Sequence, residues 1–370
     1  MKKPNYEDIR RGKELLKRKD FDKALRHFTR ICNDEPDNIE AWFLKGVALT
    51  CLDRDAEAIE CFDNVLQLDP QYIPALLQKG CNLGNLDDHY VALSCFDAAS
   101  EVEPSNPFIW HLKGMAYYYI NEEEKSLTCF EKIERLYSQE DKPAAFWYWK
   151  GKIFIALGLD EKALACLNRG LTVSPQNPDL WFEKGIVLYL MDKFDDSLEC
   201  FIHVFELDPK YPGIWFRIGA VYSQMEEYDK ALELYQKEAN RDPNDPYIWY
   251  YMGLTYYDMK EYKKALTYFE QAIMCDQGNG HLYKWKGHAL YHLGRYSKAL
   301  YWYNSGLRNN CQDSDLWFRK GQTLEKLNRF KQSLSCFKKV LELDPNYKGL
   351  KEEIKNVQKK IMLNHKILKQ

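Results

Sequence analysis

The sequence predicts an all-α chain of tandem helix-turn-helix units, closed at its end by one further helix. The first observation is a glycine that recurs ten times, always 34 residues apart except for one gap of 37. The second is that each unit holds two segments of about a dozen residues with apolar side chains three and four positions apart, the spacing of one helix face. The glycines are Gly12, Gly46, Gly80, Gly114, Gly151, Gly185, Gly219, Gly253, Gly287 and Gly321.

Three other positions recur with this glycine. An aromatic residue stands four positions before it in eight units: Trp42, Trp110, Trp147, Trp181, Trp215, Trp249, Tyr283 and Trp317. An alanine or serine follows twelve positions after it, and an aromatic ring or Leu167 follows sixteen positions after it. A glycine inside a helix costs about 1 kcal/mol relative to alanine. We therefore expect the two helices of a unit to approach closely, with the glycine against the small residue twelve positions on.

Prolines mark the ends of the predicted helices. A proline opens four units, at Pro107, Pro178, Pro212 and Pro246, and it suits the first turn of a helix because an N–H there has no partner. Seven units carry another proline 24 residues after the glycine, where it stops the second helix. The short turns between the two helices of a unit make those helices antiparallel.

This set of positions resembles the tetratricopeptide repeat family over residues 5–347. The segments AWFLKG, LWFEKG and LWFRKG are most similar to prokaryotic or archaeal arrays. The resemblance implies a right-handed superhelical α-solenoid in which the first helix of each unit lines the concave face. Counted from the family's first position, the ten units are residues 5–38, 39–72, 73–106, 107–143, 144–177, 178–211, 212–245, 246–279, 280–313 and 314–347.

The fourth unit departs from the regular length. It holds three extra residues within the segment ERLYSQEDKPAAF, near Ser138 to Lys142. The insertion is either a lengthened turn or a hinge, and a hinge would divide units one to four (residues 5–143) from units five to ten (residues 144–347).

The last segment, residues 348–370, lacks the repeat pattern but keeps helical spacing. Lysines fill much of its polar side, and the terminal units of a solenoid need a polar outer face. We expect a C-terminal capping helix whose apolar positions are Leu350, Ile354, Val357 and Ile361.

Composition limits the location and the partners. The formal net charge is −3 over 370 residues, which gives no overall electrostatic reason to bind nucleic acid. The first twenty residues show no apolar stretch of a secretory signal. No run of 18 apolar residues predicts a membrane span. We therefore expect a cytoplasmic protein whose eleven cysteines are reduced thiols.

The resemblance places positions five and twelve of each unit on the concave face, and these positions are largely aromatic from unit four to unit nine. Tyrosine suits an interface because it combines a large ring with a hydroxyl. Two interpretations fit: an exposed groove that binds a peptide or segment of a partner protein, or rings packed between units. The candidate partner-binding residues are Tyr118, Tyr148, Phe182, Tyr189, Phe216, Tyr250, Tyr257, Tyr291 and Phe318.

Charge is distributed unevenly along the chain. Residues 39–106 hold 12 acidic and 3 basic side chains, whereas residues 320–370 hold 13 basic and 5 acidic ones. This polarity fits a solvated surface, head-to-tail self-association, or an acidic partner at the C-terminal end. The alternative function is RNA binding through the basic C-terminal segment and residues 10–19, and the acidic second and third units argue against it.

Catalytic motifs are missing from the sequence. We find no P-loop, HExxH, GxSxG or glycine-rich dinucleotide turn, so neither an enzyme nor a cofactor is predicted.

Six cysteines share position 23 of their units, where they suit the role of small apolar packing residues. His288 and His292 lie four apart on one helix face and are the candidates for a metal site. That spacing alone is not specific to metals, and groove or core histidines are the preferred interpretation.

Two lysine patterns suggest binding sites that we do not expect. A lysine precedes the recurring glycine in seven units. It sits near the tryptophan, so we expect a packed stem and an outward ammonium group. Co-chaperone clamps in the family hold a carboxylate chain end with lysine at position five and asparagine at position nine. Here Lys284 at position five is followed by His288 at position nine, so no such clamp is predicted.

Overall fold

The computed structural model describes residues 6–137 and 142–367, and these form 21 α-helices and no strand. Helices of odd number from α1 to α19 are the first helices of the ten units, and those of even number are the second helices. The helices are α1 Tyr6–Lys17, α2 Phe21–Asp34, α3 Ile39–Thr50, α4 Asp55–Leu68, α5 Ile73–Asn85, α6 His89–Val102, α7 Pro107–Tyr119, α8 Glu123–Leu136, α9 Ala144–Ala156, α10 Asp160–Val173, α11 Pro178–Leu190, α12 Phe194–Leu207, α13 Ile214–Gln224, α14 Tyr228–Arg241, α15 Pro246–Asp258, α16 Tyr262–Cys275, α17 Gly280–His292, α18 Tyr296–Asn309, α19 Ser314–Lys326, α20 Phe330–Leu343 and α21 Leu350–Ile367.

Apart from α13, the described first helices from α3 to α19 begin where the repeat register predicts them. Prolines open α7, α11 and α15 as predicted, but the prediction for Pro212 is wrong. Helix α13 begins at Ile214, because Gly213 adopts a left-handed conformation (φ 72°) immediately before it. Six first helices also have an asparagine or aspartate cap that accepts a hydrogen bond from a backbone N–H of the first turn, which satisfies a donor without a helical partner. These caps are Asn38, Asn106, Asn177, Asp245, Asn279 and Asp313.

Each recurring glycine with a described contact lies closest to the side chain sixteen residues later. A Cβ atom on Gly46 would lie 2.6 Å from Cε1 of Phe62. The small residue has another role where it is serine. Ser126 donates a 2.6 Å hydrogen bond to the carbonyl oxygen of Gly114, and Ser333 does the same to Gly321 at 2.8 Å. The small residue also approaches the glycine, since the carbonyl oxygen of Ala231 would lie 3.3 Å from a Cβ atom on Gly219. The predicted contact is therefore present, but the side chain sixteen residues on fills most of the space that a Cβ atom would take.

Substitution of this glycine tests the contact within the chain itself. In the fifth unit the facing side chain is Leu167, and a Cβ atom on Gly151 would lie 3.0 Å from it. We expect Gly46→Ala to lower the free energy of unfolding by about 1–3 kcal/mol, because the Phe62 ring must leave its rotamer or its site. Gly151→Ala should cost clearly less. Urea denaturation of both variants measures the difference, and equal losses would contradict the contact as its cause.

On five first helices among the described residues, a tryptophan donates a hydrogen bond to the turn that precedes its helix. The indole N–H of Trp42 donates to the carbonyl oxygen of Pro36 at 2.8 Å. Three other units repeat this bond with the same proline position, and Trp317 donates to Cys311 at 2.9 Å. The recurring tryptophan and the proline six residues before it are therefore joined by a hydrogen bond. The repeats are Trp110 to Pro104, Trp181 to Pro175 and Trp249 to Pro243.

The chain forms two compact units of packing, Met1–Asp192 and Lys193–Gln370. In the first, the core continues across the insertion of unit four, where Phe130 lies 5.8 Å from Phe146 between ring centroids. Residues 138–141 of the insertion lie outside the described residues, so the predicted hinge and division at residue 143 stay a prediction.

The C-terminal helix α21 closes the second compact unit. Leu350 and Val357 are fully buried against Phe337 and Val340 of α20, with Ile354 and Ile361 packed beside them. The capping helix predicted from residues 348–370 is therefore present over its described part. Within residues 6–137 and 142–367, no helix combines the length and the apolar character that a bilayer span requires.

Candidate functional site

The candidate aromatic residues all lie on first helices, and eight of the nine are half-buried. The ninth, Phe318, is 8% exposed. A half-buried ring keeps one part packed on its own protein and leaves another part for a partner. The half-buried residues are Tyr118, Tyr148, Phe182, Tyr189, Phe216, Tyr250, Tyr257 and Tyr291.

In the first compact unit, Trp149 brings two candidates together. Its ring centroid lies 5.7 Å from that of Tyr118 and 5.6 Å from that of Tyr148, both edge-on. The ammonium group of Lys152 lies 5.4 Å from the Tyr118 ring, 5.5 Å from Tyr148 and 5.2 Å from Trp149. Three rings around one cation form an aromatic cluster on α7 and α9, stabilised by cation–π attraction.

An acidic side chain completes this cluster. Glu183 on α11 lies 3.7 Å from the Lys152 ammonium group, and the Tyr148 hydroxyl donates to its carboxylate at 3.5 Å. Burial raises the pKa of the Tyr148 phenol, and the negative charge of Glu183 raises it further. The phenol therefore stays protonated at neutral pH and remains a donor. Phe182 and Tyr189 of the same helix α11 are half-buried.

In the second compact unit, Tyr251 joins two more candidates. Its ring lies 4.8 Å from Phe216, edge-on, and 5.2 Å from Tyr250. Tyr250 also meets His281 at 5.5 Å. Burial raises the pKa of the Tyr250 phenol, so this hydroxyl too is a neutral donor.

Tyr257 and Tyr291 lie further along the same unit. The Tyr257 ring lies 5.4 Å from Trp285 and 5.6 Å from His292, edge-on to both. Tyr291 lies 5.7 Å from His292 and 5.4 Å from Tyr296. Burial raises the pKa of both phenols. The structure thus brings Tyr257 and Tyr291 to one imidazole ring, each edge-on to it.

Phe318 differs from the other candidates because other rings cover it. Its centroid lies 5.5 Å from Phe337 and 4.7 Å from Tyr347, and it belongs to the core under α21. Phe318 is therefore a packing residue of the capped end in this structure.

Sequence reasoning missed the residues that join these rings. Trp149, Tyr251 and Trp285 all occupy position six of their units, next to position five. The same register count that selected positions five and twelve would have found them, because position six faces the preceding unit's first helix. Within each compact unit, we call the rings at positions five, six and twelve of the first helices the aromatic face.

The two candidate metal-binding histidines have different surroundings. His288 is 7% exposed, and its Nε2 atom has no hydrogen-bond partner among the described residues. His292 is exposed and stacks on Tyr262 at 4.7 Å. Within residues 7–137 and 142–363, no three His, Cys, Asp or Glu side chains come together as a group that could hold a metal ion. We propose no metal site on this pair.

Four of the seven recurring lysines before the glycine pair with an acidic side chain sixteen residues earlier, on the second helix of the preceding unit. Lys79 meets Asp63 at 2.5 Å, and Lys286 meets Glu270 at 3.0 Å. Lys113 and Lys150 repeat the pair. The other three, Lys45, Lys184 and Lys320, have their ammonium groups 4.7, 4.9 and 4.5 Å from the ring of the tryptophan three residues earlier. The protein's own carboxylates and rings therefore account for the lysine pattern without a nucleic acid.

Lys284, the lysine that resembled part of a carboxylate clamp, is also paired. Its ammonium group lies 2.8 Å from Asp315.

All six cysteines at position 23 are buried, and burial raises the pKa of the Cys61 and Cys129 thiols to about 11. These thiols stay protonated and serve as packing groups.

Comparison with known proteins gives one family and one fold. Sequence profiles of the tetratricopeptide repeat match residues 39–72, 109–252, 246–279 and 314–347. No curated protein sequence matches the chain. A chain in the crystal structure of the APC/C hetero-tetramer Cut9–Hcn1 is 14% identical, with a TM-score of 0.56 over 95% of this chain and 83% of that one. Yeast Tom70 is 10% identical, with a TM-score of 0.53 over 97% of this chain and 96% of that one. These TM-scores show a shared α-helical repeat fold.

Proposed function

This chain belongs to the tetratricopeptide repeat family, and from that premise we propose that it is a protein-interaction scaffold that binds peptide segments on its aromatic face. The observation that carries the proposal is the half-buried rings on the first helices of each compact unit, at positions five, six and twelve. Similar repeat structures include a chain of the hetero-tetramer Cut9–Hcn1, and an assembly with a second protein supports partners of the same kind here.

The chemistry of this face favours a peptide over other ligands. Each tyrosine supplies apolar area and one neutral hydroxyl, the combination that is enriched at protein interfaces. An extended or helical segment could lay its side chains against successive units while its backbone bonds to the hydroxyls. We propose a binding role and no catalytic one, because the polar groups of the face are spread over successive helices and do not converge on one point.

Removal of the rings tests the proposal. A variant with Tyr118, Tyr148, Tyr250 and Tyr257 all changed to alanine should lose its partners, because an interface aromatic contributes about 2 kcal/mol or more when it is a hot spot. The measurement is quantitative mass spectrometry of proteins recovered by the purified variant and by the wild type. We expect recovery of specific partners to fall by about tenfold or more.

The matched control removes rings that lie outside this face. Tyr90 and Tyr301 are 73% and 59% exposed on second helices, and their alanine variant should recover the same partners as the wild type. Melting curves by circular dichroism verify that both variants are folded. Equal recovery by the aromatic-face variant and the wild type would reject the proposal.

A further inference from the structure

A cavity of about 320 Å³ opens between the third and fourth units. The buried side chains of Ala92, Phe96 and Ala116 line its interior, and the half-buried Cys81 and Met115 line it beside them. An engineered apolar cavity of about 150 Å³ is large enough to hold benzene. The cavity between these units therefore has room for a whole aromatic side chain.

The cavity exists because position twelve of the third unit is Gly84. Other units carry a ring at this position, for example Tyr118, Tyr257 and Tyr291. A Cβ atom on Gly84 would meet only the His89 ring, with Nδ1 at 3.6 Å and Cε1 at 3.7 Å, which are ordinary contacts. Unlike the glycines at position eight, Gly84 is not required by close packing.

The eighth unit shows how an aromatic ring at position twelve packs on its neighbours. There Tyr262 and His292 stack with centroids 4.7 Å apart and planes at 13°. The Tyr257 ring lies edge-on to both, at 5.3 Å and 5.6 Å.

The third unit has the same stacked pair of one histidine and one tyrosine, with the two residue types exchanged between the positions. His89 and Tyr119 occupy the registers of Tyr262 and His292, and they stack at 4.7 Å and 8°. Both line the cavity. Only the edge-on ring is missing from the arrangement, because the residue that would carry it is Gly84.

Charge around the cavity is negative. Residues 39–106 carry 12 acidic and 3 basic side chains. Asp87 lines the cavity with a fully exposed side chain, and Asp88 beside it is exposed. Asn85, also in the lining, donates to Asp55 at 3.1 Å. Carboxylates at the mouth favour a segment that carries lysine or arginine.

We propose that this cavity binds one aromatic side chain of a basic segment of a partner protein, with the ring edge-on to the stacked His89 and Tyr119. The inference rests on the proposed peptide-binding function and adds to it a specific anchor site outside the row of tyrosines. Lysine or arginine residues flanking that ring lie against the carboxylates of Asp87 and Asp88.

Two substitutions at Gly84 separate the effect of filling the cavity from the effect of replacing a glycine in the helix. Gly84→Leu places a side chain into the cavity, whereas Gly84→Ala leaves most of the volume open. Both replace a helical glycine by a better helix former, so both variants should melt at or above the temperature of the wild type.

The probe is the acetylated and amidated heptapeptide KKGYGKK, titrated calorimetrically into the full chain. We expect the wild type and Gly84→Ala to bind it alike and Gly84→Leu to bind at least about tenfold more weakly, the loss that follows from one unburied ring. The peptides KKGAGKK and EEGYGEE should also bind the wild type at least about tenfold more weakly. Bound KKGYGKK should slow alkylation of Cys81, followed by mass spectrometry, and leave the rate at the exposed Cys275 unchanged.

Three results would overturn the inference: no binding of KKGYGKK to the wild type, equal binding by Gly84→Leu, or equal binding of KKGAGKK. A wild-type dimer that Gly84→Leu dissociates in sedimentation would assign the cavity to a second copy of the chain and would overturn it as well. The proposed function is judged separately, since partner recovery depends on the four tyrosines and not on Gly84.

Discussion

Changing Phe62 to alanine is expected to lower the free energy of unfolding by about 3–5 kcal/mol, the usual loss for a wholly buried phenylalanine. The Phe62 side chain is 0% exposed. Its ring lies in the space opposite Gly46, where a Cβ atom would come within 2.6 Å, and its centroid is 5.8 Å from Phe43. The loss has two parts: the favourable free energy of burying the ring is no longer gained, and a cavity is left between α3 and α4. Urea denaturation followed by circular dichroism measures it.

The matched control is Phe62→Leu, because the chain itself places Leu167 opposite Gly151 at the same register. Leucine fills much of the space, so we expect less than half of the loss seen with alanine. Equal losses for alanine and leucine would show that the contact between ring and glycine is not what holds this hairpin together.

Changing His288 to phenylalanine is expected to make the protein less sensitive to acid. His288 is 7% exposed, and burial lowers its pKa to about 3, with the positive charge of Arg319 acting in the same direction. Its ring lies 5.1 Å from Trp285 and 5.7 Å from Tyr303. Asp315, Lys284 and His292 are the other charged or titratable groups that act on it. A neutral ring among aromatic rings can be replaced by phenylalanine with little change in shape.

The direction of the pH effect follows from linkage. A histidine in the unfolded chain binds its proton near pH 6.5, whereas the folded protein binds it only near pH 3. The unfolded state therefore holds more protons between these values, so the contribution of His288 is complete above pH 6.5 and is lost as the pH falls. The full loss is about 5 kcal/mol, of which about 2 kcal/mol falls between pH 6.5 and 5.

The measurement compares the free energy of unfolding at pH 7 and pH 5. The wild type should lose about 2 kcal/mol more than His288→Phe over this interval, since all other titrating groups are shared. His292→Phe, which removes the exposed imidazole of the same helix, should change the interval much less. An identical pH dependence for His288→Phe and the wild type would contradict the prediction.

The sequence predicted the repeat architecture closely because its signals are local. A helix start needs a cap and a favourable first turn, and the register of Ile39, Pro107 and Ser314 matches the observed starts. Pro212 failed as a start because Gly213 allows a left-handed turn that its neighbours in other units cannot adopt as easily. This late helix start depends on the Pro212–Gly213 pair alone, so the pattern shared by the ten units does not reveal it.

The candidate site was less predictable, since the exposure of a ring depends on side chains from adjacent units. Phe318 shares position five with Phe216, yet Tyr347 and the capping helix enclose it. Trp149 joins Tyr118 to Tyr148 from a position that the count along the chain had not selected.

The sequence by itself determined the family, the all-α fold and the ten-unit register, because each depends on spacings within about 34 residues of chain. Only the tertiary structure decided that the side chain sixteen residues on lies closest to each described recurring glycine, and that the absence of a side chain at Gly84 leaves a cavity. These facts depend on how far side chains from separate helices reach toward one another. Periodicity fixes the direction of a side chain on its helix, but not the distance to its neighbour.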